Sequence, residues 1–272
     1  MLYDTHCHLN FKDYPPEECS AIISDCLEQG VWVNNVGADY ESSKEAVELS
    51  KKYNNGIFAV IGSHPENFLP DGKEKIFDVE KYRKLAEDGG VKAVGIGECG
   101  LDYYRIPEGL TAADMRELQE PGFVAQIKLA KELNKVLVIH SRPTKDTVNV
   151  YEDTLQILKR EDIGRFEMHS FTGSWEECKK FIDLGAYVSV NGILTFDKTG
   201  VIAELVKNIP QDRLIFETDA PFLAPIPFRG KKNQPQYVKY TVEFAAKILD
   251  KDYQEVEEMA FENSCRLFGV GI

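Results

Sequence analysis

Short apolar runs recur along the whole chain at intervals of a few tens of residues: 2–5, 31–36, 57–61, 91–96, 136–139, 166–168, 186–190 and 214–216. Several are apolar at consecutive positions, as in Val136-Leu137-Val138-Ile139. Alternation would mark a strand wet on one face, whereas a continuous run suits a parallel strand covered on both. Between the runs lie amphipathic, helix-like stretches: 17–29, 42–53, 75–87, 123–133, 144–159, 175–184 and 201–207. Two more, 237–249 and 253–268, follow at the end. Eight strand–helix units predict a (β/α)₈ barrel. The competing architecture is an open doubly wound sheet, but no GxGxxG follows the first strand. No Pro/Gly/Ser-rich linker or charge block divides the 272 residues, so a single domain is expected.

A parallel barrel presents its chemistry where its strands end. All five histidines stand at such ends: His6 and His8 after the first run, His64 after the third, His140 after the fifth and His169 after the sixth. His6 and His8 are two apart in an extended segment, so their side chains point the same way and can converge on one ion while Cys7 turns aside. The fourth run ends in Gly95-Ile96-Gly97-Glu98-Cys99-Gly100, which puts one carboxylate at the same rim. Glycines on both sides of Glu98 let the backbone come close to whatever it holds. The eighth run ends in Glu217-Thr218-Asp219 and adds Asp219 to the set. Four histidines, Glu98 and Asp219 suffice for two divalent metal ions sharing a carboxylate, with Glu98 as the bridge.

Composition narrows the rest. The chain is 43% hydrophobic and 28% charged, without a low-complexity tract. No apolar run approaches the roughly 20 residues that span a bilayer, so no membrane role is expected. The N-terminal Met1-Leu2-Tyr3-Asp4 lacks the basic and apolar regions of a secretory signal. Cys7, Cys19, Cys26, Cys99, Cys178 and Cys265 are scattered with no CxxC, which suits reduced thiols in the cytoplasm. A net charge of −13 argues against a static grip on long duplex nucleic acid, though not against an enzyme taking a strand end or a small phosphoester. Nothing in the sequence points to an obligate protein partner.

Five segments together carry a family resemblance: Asp4-Thr5-His6-Cys7-His8, Gly97-Glu98-Cys99-Gly100-Leu101-Asp102-Tyr103-Tyr104, Ile139-His140-Ser141-Arg142, His169-Ser170-Phe171-Thr172-Gly173 and Glu217-Thr218-Asp219-Ala220-Pro221-Phe222-Leu223. The last continues through Pro225, Pro227, Arg229-Gly230, Asn233 and Pro235. In order and span the chain resembles the TatD-family metal-dependent deoxyribonucleases, within the amidohydrolase-like (β/α)₈ barrels. The resemblance implies that His6, His8 and Asp219 hold one ion, that His140 and His169 hold the other, and that Glu98 lies between. It implies hydrolysis of phosphodiester bonds by metal-bound hydroxide, as a 3′–5′ exodeoxyribonuclease, and a His64 that contacts phosphate or protonates the leaving oxygen. Two departures lie near the rim. Residues 106–118 make a long connection, with Pro121-Gly122 expected to interrupt the start of the next helix, and Pro143 stands where the family has an acidic residue.

Ligand softness favours zinc, manganese or cobalt over magnesium, while the resemblance implies that magnesium can support activity. Asp219 is the residue to orient the attacking water or take its proton. Glu217 shares strand parity with Asp219, as a partner for a ligand histidine N–H or as an ordinary carboxylate. The loop after the eighth run carries Arg229, Lys231, Lys232 and Asn233. Loops there often bind phosphate, which makes Arg229 and Asn233 candidate substrate contacts. Tyr103, Tyr104 and Arg105 are candidates to stack on or contact a nucleotide. The same metal site also serves hydrolases of carboxylic esters, lactones and amides, and a non-catalytic metal-stabilised barrel is the remaining reading.

Overall fold

The computed structural model describes residues 1–144 and 149–271. Eight strands form one parallel sheet in chain order: β1 (Leu2–Cys7), β2 (Val31–Val36), β3 (Ile57–Ile61), β4 (Ala93–Asp102), β5 (Val136–Arg142), β6 (Phe166–Met168), β7 (Ala186–Val190) and β8 (Leu214–Phe216). Just beyond β8 the sheet meets β1 again. The Asp219 N–H donates to the His6 carbonyl at 2.8 Å, and the His8 N–H donates to the Ala220 carbonyl at 2.7 Å. The barrel therefore closes through the residues that bear His6, His8 and Asp219. Helices cover the outside: α1 (Pro16–Glu28), α2 (Tyr40–Lys51), α3 (Val79–Gly89), α4 (Ala112–Glu132), α5 (Val150–Glu161), α6 (Trp175–Ile182), α7 (Val201–Asn208) and α8 (Val238–Leu249). All eight predicted strands and nine predicted helical stretches have counterparts, the ninth being α9 (Tyr253–Phe268).

The N-terminal end of the barrel is plugged. Tyr3, Trp32 and Phe58, at the starts of β1, β2 and β3, form an aromatic cluster with Phe261 and Phe268 of α9. Burial of that much ring surface is among the larger contributions a side-chain cluster can make. It leaves only the C-terminal end open.

Several boundaries differ from the sequence reading. β4 and β5 do not stop before Glu98 and His140 but run on to Asp102 and Arg142, with Gly100 opposite His140 and Asp102 opposite Arg142. Nor does Pro121-Gly122 delay α4, which is 21 residues long and contains both. Its true start is a capping box in which Thr111 and Asp114 satisfy each other's backbone N–H. Gly122 is there because the Phe68 ring crosses the helix at that point, 2.3 Å from where a Cβ would stand. α5 begins at Val150 rather than at 144, capped by Asn149, whose side chain accepts from the Tyr151 and Glu152 N–H groups. The intervening part of the predicted stretch, 145–148, lies outside the described residues.

Candidate metal centre

β1 delivers His6 and His8 as its alternation requires, with their Nε2 atoms 3.3 Å apart and both rings buried. Glu98 Oε2 lies 3.5 Å from His6 Nε2 and 3.7 Å from His8 Nε2, and Asp219 Oδ1 lies 3.5 Å from His8 Nε2. A tetrahedral ion with bonds of about 2.1 Å sets its ligand atoms roughly 3.4 Å apart, and three sets bring their donor atoms within 4.8 Å of one another: His6, His8 and Asp219; His6, Glu98 and His169; and His64, Glu98 and His140. The other oxygen of Glu98 faces a second group. Oε1 is 2.8 Å from His140 Nδ1, 3.5 Å from His169 Nε2 and 3.9 Å from His64 Nε2. Glu98 thus turns one oxygen to each histidine set.

Partners behind the rings orient them. His8 Nδ1 lies 2.9 Å from the Val36 carbonyl and His169 Nδ1 lies 2.9 Å from Glu217 Oε2, so each ring keeps an N–H on its outer nitrogen and turns Nε2 toward Glu98 or Asp219, the nitrogen whose proton a cation would displace. Glu217 is therefore the partner of a candidate ligand, itself held by Asn191 at 3.1 Å. Asp4 performs the same service for the backbone: its carboxylate accepts from the His6 N–H, the Thr218 N–H and the Thr218 hydroxyl, tying β1 to the segment carrying Asp219.

Charge follows geometry. Burial would raise the carboxyl pKa of Glu98, but His6 and His140 hold it well below the ordinary range. Burial would likewise lower His140 and His169. Bonds to Asp102 and Glu98 push His140 up to about 9, and Glu217 pushes His169 up to about 10. His6, deeper and beside His169, is lowered. The donor set is thus a cluster of carboxylates whose charge is met by imidazolium protons, and a divalent cation displaces such protons when it binds. The residues fit a metal.

His64 differs. Burial and neighbouring His140 lower it to about 4, so it is neutral. Its Nδ1 accepts from the Glu66 N–H at 3.3 Å and caps a 3₁₀ turn (Pro65–Phe68), which leaves the proton on Nε2, facing Glu98. His64 both caps the turn at Pro65 and offers a donor to the cavity.

The centre floors an open cavity of about 830 Å³ lined by His8, His64, His140, His169, Glu98 and Asp219. Of the five candidate substrate contacts other than His64, only Arg105 lines it. Tyr103 is buried and its hydroxyl donates to Asp153 at 2.9 Å. Asn233 is buried too, and its amide holds the Thr218 and Phe222 carbonyls, so it positions the loop and does not reach a ligand. Arg229 points outward over the Phe196 ring, and Lys232 bonds Glu18 and the Asp13 carbonyl. The cations at the cavity are instead Lys73, Arg105 and Arg142. Asp102, whose Oδ2 is 2.8 Å from His140 Nε2, was also not singled out. Its parity with Glu98 on one strand is the signal in the sequence, hidden when the apolar run 91–96 alone marks the strand.

A family profile described as TatD related DNase matches residues 3–269. A metal-dependent hydrolase of uncharacterised function from Bacillus subtilis, YabD, is 37% identical over 275 residues, covering 99% of this chain and 100% of the relative. Another, YcfH of Escherichia coli K12, is 34% identical over 99% of this chain and 96% of its own. The crystal structure of YjjV, a TatD homologue from Escherichia coli K12, superposes with a TM-score of 0.84 at 25% identity, covering 99% and 98% of the two chains.

Proposed function

The chain belongs to the TatD-related DNase family of metal-dependent hydrolases, and from that premise we propose that it is a phosphodiesterase acting on DNA strand ends, a 3′–5′ exodeoxyribonuclease with two divalent ions of zinc, manganese or magnesium. The observation that carries the two-ion reading is the division of Glu98, with Oε2 toward His6 and His8 and Oε1 toward His140 and His169. On this reading His6, His8, Glu98 and Asp219 would hold one ion, and Glu98, His140 and His169 the other. Divalent ions held there would supply acidified water and charge neutralisation for an in-line displacement.

The chain's own groups do the rest. Asp219 is a carboxylate at the cavity floor, beside His8, and it orients the attacking water and takes its proton. His64 offers its Nε2–H to a phosphate oxygen as a neutral donor. Arg105 supplies positive charge at the rim. That guanidinium charge favours a phosphate over the uncharged ester or amide that the same donor set otherwise admits.

The test is hydrolysis of a 5′-end-labelled single-stranded DNA oligonucleotide by metal-stripped protein, by protein given Mg²⁺, Mn²⁺ or Zn²⁺, and by Glu98→Ala. A metal-dependent ladder lost in Glu98→Ala supports the reading. No cleavage at full metal occupancy overturns it, and a panel of small esters and lactones then follows.

A further inference from the structure

The cavity walls are unlike each other. Phe11, Ile193, Phe222 and Leu223 line it from the loops after β1, β7 and β8, and Phe222 is 51% exposed. Arg105 and Arg142 line it from the ends of β4 and β5, the opposite side of an eight-stranded barrel. The Arg142 guanidinium lies 3.8 Å from the centroid of the half-exposed Tyr104 ring, and that of Arg105 lies 6.0 Å from the same ring. Among the described residues neither arginine is paired with a carboxylate. Arg83, Arg116 and Arg160 each are, and the third cation of the cavity, Lys73, is engaged by Asp39. In a chain of net charge −13, two guanidiniums facing a cavity with no carboxylate partner among the described residues are placed against the prevailing field.

Their position relative to the centre is set by β5. Arg142 is two residues beyond His140 on the same face of the strand, so its Cα stands about 6.6 Å farther out. Stacking on Tyr104 holds the guanidinium plane while leaving its N–H edge free to grip an anion at two points.

We propose that Arg142 and Arg105, backed by Tyr104, seat the phosphate next to the scissile one, so that the preferred substrate is a nucleotide chain end with a flanking phosphate rather than an isolated diester. The inference rests on the phosphodiesterase reading and names the substrate class of that site. The terminal nucleoside lies toward Phe222, the scissile phosphate at Glu98 and His140, and the neighbouring 5′-side phosphate on Arg142. A lone scissile phosphate needs none of this outer charge. A chain with successive phosphates meets it one pleat above the centre.

Two measurements on the metal-loaded full chain test it. The first compares kcat/KM for a deoxydinucleotide with and without a 5′-phosphate. The second measures by calorimetry the binding of the corresponding methylphosphonate-linked dinucleotides, which resist hydrolysis. The wild-type preference for the phosphorylated member should be about tenfold or more. In Arg142→Ala the ratio should fall toward one, and Arg142→Lys, which restores charge without the fork, should recover only part of it. A wild-type ratio near one, or a ratio that survives Arg142→Ala combined with Arg105→Ala, overturns the inference. If calorimetry shows the preference while no metal supports hydrolysis, the anion seat stands and the phosphodiesterase reading fails.

Discussion

The two glycines around Glu98 offer a sharp test of how the centre is built. Gly100 has φ +140°, a region closed to L side chains, and a Cβ there would stand 1.9 Å from the His140 carbonyl oxygen. Gly97 is alike, with φ +139° and a Cβ position 2.3 Å from the Val138 carbonyl oxygen. Real Cβ contacts do not close below 3.0 Å, so Gly100→Ala must push β4 and β5 apart by about an ångström where Glu98 and His140 face each other. The backbone conformation costs roughly 1–3 kcal/mol. Loosening the buried pairing of Gly100 with His140 adds about 1–3 kcal/mol for each group left unmatched. With one group left unmatched the total is roughly 2–6 kcal/mol, which for a chain of 272 residues is a fall in Tm of about 4–10 °C. Hydrolysis should drop about a hundredfold, since misplacement on this scale has that effect on positioned groups. Calorimetric unfolding, metal analysis and the oligonucleotide assay read these out. Gly109→Ala is the control: φ there is +86° but no atom lies within 4 Å, so only the backbone cost of about 1 kcal/mol remains. A Gly100→Ala protein with the Tm, metal content and activity of the wild type would refute the argument that strand contact, rather than ligand access, demands these glycines.

Further outcomes follow from the same geometry. Glu217→Ala removes the acceptor of the His169 N–H and should weaken metal binding or activity by about 10–100-fold, with Glu217→Gln recovering part, as read by metal titration. Metal restored to stripped protein at about a thousand times its Kd should stabilise by about 4 kcal/mol, a rise of about 7 °C in Tm, and a Tm indifferent to metal would count against a built site. Tyr103→Phe deletes the bond to Asp153 and should cost about 1 kcal/mol in unfolding while leaving KM for the oligonucleotide unchanged, because the ring does not reach the cavity. Arg229→Ala should likewise leave KM within about twofold; a tenfold rise would return the loop after β8 to the substrate site.

Much of the molecule could be read from the chain. The parallel barrel is legible in eight regularly spaced strand–helix units, several of whose strands are apolar at consecutive positions because both of their faces are covered. The donor set followed from position. His6, His8, Glu98, His140, His169 and Asp219 all stand at or near the end of an apolar run, and topology alone brings those ends to one rim. The Glu217 contact was half legible, as parity placed it but did not say which ring it would meet.

What the sequence could not decide depends on distances between segments far apart in it. Residues 229–233 look like a phosphate loop in one dimension, yet Phe196, Glu18 and the Thr218 and Phe222 carbonyls claim Arg229, Lys232 and Asn233. Tyr103 and Tyr104 are neighbours in the chain, and only packing buries one against Asp153 and leaves the other as the platform for Arg142. Apolar patterning dictates the barrel and its chemical rim, since burial is a property each residue carries with it. Which polar side chain is consumed by structure and which is left for a ligand is a property of its partners, and partners exist only once the chain has folded.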